Sequence, residues 1–166
     1  PGLKEDTWIT CAEVIPGNRQ VVHHVIVFAA TDGKLVNEDR QFICAYVPGL
    51  RVTPYPQGMA KKIPAGAKLI FQMHYTPVGT PQEDRTQVGF VFADPTKSTH
   101  EVQTISTMSR RFKIEPQLDD QKFTSNPVNT PTDVLLLSLS PHMHLRGKSF
   151  RYEMTWPNGQ TEVLLD

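Results

Sequence analysis

The sequence predicts an all-β protein, and three observations carry that prediction. Among its 166 residues are 14 prolines and 10 glycines, and turn-forming clusters recur at short intervals. Between them lie short runs of β-branched and aromatic residues, several alternating apolar with polar. Long helical periodicity is absent, so antiparallel sheet is the architecture the pattern supports. The length fits one large domain or two small ones. Seventeen basic residues balance 17 acidic ones, and nothing in that balance points to a nucleic-acid surface or a basic membrane patch. The apolar runs are too short to cross a bilayer as helices, and the first residues carry no information on location.

The elements follow in order. Residues 7–15 read as a strand closed by Pro16-Gly17-Asn18. Val21-Val22-His23-His24-Val25-Ile26-Val27-Phe28 comes next, an apolar run of strand length that ends at Thr31-Asp32-Gly33. It holds two adjacent histidines. Successive side chains of a regular strand point to opposite faces, so His23 and His24 reach one partner together only if the backbone twists or bulges there. The plain alternative is two hydrogen-bonded core histidines. Residues 42–47 form a short strand closed by Pro48-Gly49, and a proline-rich surface loop, residues 52–58, follows.

After the turn Ile63-Pro64-Ala65-Gly66, residues 68–76 alternate clearly. Leu69, Phe71, Met73 and Tyr75 are assigned to the core, and Gln72 and His74 to the outer face. Residues 77–85 are loop-like and 87–93 a strand. Asp94 to Ser98 reads as a connection, giving an expected domain boundary between residues 1–98 and 99–166. A long strand is expected over 101–114, irregular chain up to Asp133, and a strand over 134–145. In that last strand Leu135, Leu137, Leu139, Met143 and Leu145 occupy one face, while Ser138, Ser140, His142 and His144 share the other. Histidines two apart on a strand can chelate one metal, although a polar outer face is the plain alternative. A hairpin, 149–155 with 160–165, closes on Asn158-Gly159.

Five of the six histidines fall in these three places, and His100 stands alone. Neutral imidazole suits copper, zinc, iron or nickel rather than magnesium or calcium. No Cys-x-x-Cys pairing, phosphate loop or nucleophile elbow accompanies them. Cys11 and Cys44, the only cysteines, could form one disulfide or remain thiols. As copper ligands they are not expected, because thiolate would give a differently coloured Cu(II) site.

Three motifs in order, Val-His-His-Val-Ile-Val-Phe, Phe-Gln-Met-His-Tyr-Thr-Pro and Pro-His-Met-His-Leu-Arg-Gly-Lys, resemble the type II, ascorbate-dependent copper monooxygenases. Peptidylglycine α-hydroxylating monooxygenase and dopamine β-monooxygenase belong to that family, and the likeness is closest to its bacterial members. The resemblance covers nearly the whole chain. It implies two jelly-roll β-sandwich domains, with one copper on each. His23, His24 and His74 would hold the electron-transfer copper, and His142 and His144 would supply two ligands of the catalytic copper. Gln72 would line the cleft between the metals. The implied partners are ascorbate as reductant, dioxygen and a small organic substrate hydroxylated at a C–H bond. The implied location is periplasmic or secreted. A copper-binding or electron-transfer module without oxygenase activity is the alternative.

Two departures from the family pattern matter. Peptide-processing members carry a substrate-binding arginine two residues before the His-x-His pair, where this chain has Ser140. The family's catalytic copper also takes a methionine from a later strand of the second domain. Met143 is assigned to the core side, and Met154 lies on the next strand. The expectation is therefore a second sandwich domain that only begins, and a chain that does not turn over alone.

Overall fold

The computed structural model describes residues 2–31, 40–109 and 112–166. These are all-β, apart from one 3-10 turn at Pro95–Lys97. The chain divides into two compact units, one running to Ser106 and one from Thr107 to Asp166. The first unit extends past the expected boundary at residue 98, because the segment beyond it still belongs to the first unit's sheet.

Among its described residues the first unit holds seven strands. They are β1 (Thr7–Ile15), β2 (Val22–Ala30), β3 (Gln41–Tyr46), β4 (Met59–Ile63), β5 (Lys68–Tyr75), β6 (Gln87–Phe92) and the two-residue β7 (His100–Glu101). One sheet runs β6-β1-β4-β7 and the other β3-β2-β5. Every pairing is antiparallel except β4 with β7. Both sheets contribute to one apolar core. Ile9, Val14 and Ile63 come from the first, and Val22, Val25, Val27, Ala29, Ile43 and Cys44 from the second. The unit is thus a sandwich with its core between the inner faces of the two sheets. The His-His strand is the central strand of the three-stranded sheet, and its expected terminator Asp32-Gly33 lies outside the described residues.

β4 is a strand that alternation did not suggest. Two of its five residues are lysines, yet Lys61 is buried at 1% exposure. Its Nζ donates to the Phe42 carbonyl at 3.0 Å and the Thr104 hydroxyl at 2.8 Å, and it lies over the Phe42 and Tyr55 rings. A buried ammonium persists only with such partners. The bond to Phe42, with that of Gln41 Nε2 to the Lys62 carbonyl at 2.8 Å, ties the two sheets together beside the core.

The second unit departs from expectation. Its only regular elements among the described residues are β8 (Tyr152–Thr155) and β9 (Thr161–Leu165), a hairpin around the Pro157–Gly159 turn. The strand expected over 134–145 does not form, and among the described residues of 101–114 only Glu101 is in a strand. Alternation marks which residues suit a strand, but a strand also needs a neighbour for its backbone N–H and C=O groups. No described segment pairs with residues 134–145, and Val134, Leu135 and Leu136 are more than half exposed. No helix of the described residues is long and apolar enough to cross a membrane.

Candidate metal centre

The first candidate site is built by a fault in the β2–β5 ladder. From Ala30 back to His24 the pairing is regular, ending with His24 opposite His74; the next pair is Val22 with Tyr75. One step on β5 therefore matches two on β2, and His23 is the extra residue of a β-bulge. Burial records the same slip of phase. Val25, Val27 and Ala29 point into the core at a spacing of two, as a strand requires, yet Val22 is also in the core, three positions from Val25. Between them His23 is exposed and His24 half-buried, so neither occupies the core. The bulge removes the obstacle that a regular strand would pose.

The three imidazoles form one cluster. The His23 and His24 ring centroids are 5.1 Å apart, and His24 stacks on His74 at 4.0 Å with 22° between the planes. Stacked rings present their nitrogens side by side, so shared ligation needs a turn of the side chains. Among the described residues no three His, Cys, Asp or Glu side chains already converge on one ion-sized point. The donor set itself fits a borderline transition metal, since it is all imidazole nitrogen. Gln72 lies opposite Ile26, two residues from His74 on the same face of β5, and is exposed as alternation required. Leu69, Phe71 and Met73 pack against the core, whereas Tyr75, assigned to the core, is 52% exposed. Its hydroxyl is drawn outward by Asp84, to which it donates at 3.0 Å.

Asp84 is a residue that reading the sequence did not single out. Burial pushes its carboxyl up, but hydrogen bonds from Thr86, the Asn18 backbone N–H and Tyr75 outweigh that and hold it below the ordinary carboxylate value. These partners lie as far as 66 positions away in the chain, and a single polar residue in a polar loop carries no signal of them.

His142 and His144 lie in the second unit on irregular chain, both exposed, with ring centroids 5.0 Å apart and planes at 72°. The expected proximity is present, although the strand that was to supply it is not. A turn follows, in which the Gly147 N–H donates to the His144 carbonyl at 2.8 Å. A Cβ on Gly147 would stand 2.7 Å from the Met143 sulfur, so that thioether is packed against the turn. Met154 lies on β8 opposite Glu162, and the Ser140 carbonyl accepts from the Tyr152 hydroxyl at 3.2 Å. His100 is exposed on β7, with Nδ1 2.9 Å from the Thr99 hydroxyl.

Both cysteines are free thiols. Burial pushes the Cys44 thiol up to about 12, against the pull of the Lys61 ammonium. Burial lowers Lys61 to about 8 in turn. A thiol so strongly held in its protonated form is a poor metal ligand at neutral pH.

No family model matches the chain, and no curated protein or solved structure matches it.

Proposed function

We propose that this chain is the copper-binding part of an ascorbate-dependent copper monooxygenase that hydroxylates a C–H bond of an organic substrate. The observation that supports it most is the bulge at His23. Consecutive histidines in a sheet have no packing reason to share a face, and here a register fault leaves His23 beside His24, which in turn stacks on His74. In this reading His23, His24 and His74 hold one copper ion, and His142 and His144 supply two ligands to a second. Copper, when bound, supplies one-electron transfer from ascorbate and the activation of dioxygen.

The chain's own residues do the rest. The paired strands set the spacing of the first three donors, and the core behind Val22 and Val25 anchors the strand that carries two of them. Gln72 presents an amide on the same face as His74, a donor and acceptor for whatever approaches the cluster. Ser140 stands where the peptide-processing members of that family have a guanidinium, so the cation that holds a substrate carboxylate there is missing at this position, which argues against a glycine-extended peptide as substrate.

The second reading is a copper-binding electron-transfer module. What favours it is that His142 and His144 contribute two donors where a catalytic centre needs at least three. Ascorbate-driven oxygen uptake with copper present separates the two. Hydroxylated product in step with oxygen consumed supports the monooxygenase, whereas oxygen reduced without product supports the module. A chain that takes up no copper after purification without a chelating tag contradicts both.

A further inference from the structure

The loop 77–86 leaves β5 just after His74 and Tyr75 and returns to begin β6. Its Asp84 accepts hydrogen bonds from its own loop and from two other segments of chain. Oδ1 accepts from the Asn18 backbone N–H at 2.9 Å, and Oδ2 from the Tyr75 hydroxyl at 3.0 Å and the Thr86 hydroxyl at 2.8 Å. The Asn18 side chain fastens the same loop, donating to Gln82 Oε1 and the Glu83 carbonyl, each at 3.1 Å. Beside it, a Cβ on Gly17 would stand 2.5 Å from the Arg85 backbone nitrogen, so the loop and the turn touch backbone to backbone.

The segments joined here are the two that frame the bulge. The Asn18 carbonyl accepts from the N–H groups of Val21 and Val22 at 3.3 and 3.0 Å and so fixes the entry to β2. Tyr75 is the residue opposite Val22, and the Thr76 N–H donates to the Val21 carbonyl at 2.8 Å. On the far side of the bulge the ladder runs unbroken from His24 to Ala30. On the near side it has a single strand pair, Val22 with Tyr75. A bulge is a register slip of one residue, and a slip with so short a ladder beyond it is weakly held by pairing alone.

We propose that Asp84 is the positioning residue of the His23–His24–His74 cluster: by tying the entry of β2 to the exit of β5, it holds the extra residue at His23 and keeps that imidazole beside His24, which stacks on His74. The inference rests on the metal-site reading for its purpose, but the clamp itself is testable in metal-free protein.

The test compares Asp84→Ala, Gly17→Ala and Asp94→Ala in the full chain. The first removes the clamp's acceptor, and the second pushes the loop off the turn without touching Asp84. The third removes a carboxylate that caps the Pro95–Lys97 turn in the same unit and serves as control. In metal-free protein, amide exchange at Val22 and Thr76 quickens at least tenfold in the first two and is unchanged in the third. With Cu(II), both clamp variants bind about tenfold more weakly, the size typical of losing an outer-sphere support, and their paramagnetic resonance parameters shift. Thermal unfolding of all three variants shows whether a change is global. Unchanged exchange in Asp84→Ala overturns the proposal, as does wild-type copper affinity and spectrum in that variant. If the wild-type chain binds no copper at all, the metal-site reading fails by itself, and the exchange result alone decides the clamp.

Discussion

Deleting His23 is a severe change in most strands, and here it should be mild. In the intact chain Val22 and Val25 both lie in the core at a spacing of three, because His23 is the residue the ladder skips. Deletion leaves them two apart, the spacing at which a regular strand sends both side chains inward. Val22 opposite Tyr75 and His24 opposite His74 then become consecutive pairs of an ordinary antiparallel ladder. No buried side chain is lost, since His23 is exposed. The expected cost is within about 1 kcal/mol, the range of changes that touch neither core nor cap. Deleting Ile26 is the contrast. It lies in the regular part of the ladder, so the deletion reverses the phase of at least two core residues on one side of it. Turning Val22 and Val25 out of the core costs roughly 3–6 kcal/mol at 1.5–3 kcal/mol each, and turning out Val27 and Ala29 instead costs roughly 2–4 kcal/mol, in either case a large part of the stability of a small domain. Urea unfolding of the three chains measures both differences. If the His23 deletion destabilises as much as the Ile26 deletion, His23 is an integral part of the ladder and the bulge is not where the account puts it.

Further expectations concern the core beside the site. Burial lowers Lys61 to about 8, from 10.5 in the unfolded chain, so between these values the folded state binds fewer protons and stability rises with pH. Lys61→Met should remove that slope, and the stability difference between variant and wild type should change by about 2.5 kcal/mol from pH 7 to pH 10; a difference that does not vary with pH refutes it. Cys44, with its thiol raised to about 12, should react with a thiol reagent at pH 8 far more slowly than Cys11, as mass spectrometry of the labelled protein would show. Equal labelling of the two in folded protein contradicts the burial argument. Ile43→Ala, at a position 1% exposed, should cost about 2–5 kcal/mol in chemical unfolding, and a loss under 1 kcal/mol would place that side chain outside the core.

What the sequence made legible follows from what local pattern can encode. β1 runs over the residues expected of it, and the faces of β5 were readable because Leu69, Phe71 and Met73 alternate with Gln72 and His74. The alternatives for β2 were readable too. Two histidines in an apolar run call for either core hydrogen bonding or a bulge, and the ladder shows the bulge. β4 was hidden because Lys61 looks like a surface residue, and its burial depends on Phe42 and Thr104, which are distant in sequence. The segment 134–145 misled for the opposite reason. Its alternation is real, but pairing depends on a neighbour that alternation cannot report. Asp84 was unreadable because the partners that make it a clamp, Asn18 and Tyr75, are brought to it by folding.

The central claim is that one copper is shared by His23, His24 and His74. Its most direct test is the electron paramagnetic resonance spectrum of the chain with one equivalent of Cu(II), in a background of His142→Ala with His144→Ala, compared with the same protein carrying His74→Ala. The expected result is a nearly colourless type II signal with superhyperfine splitting from three imidazole nitrogens, and loss of one nitrogen together with weaker binding when His74 is removed. An identical spectrum and affinity in the His74→Ala protein, or an intense thiolate-to-copper band, would contradict it.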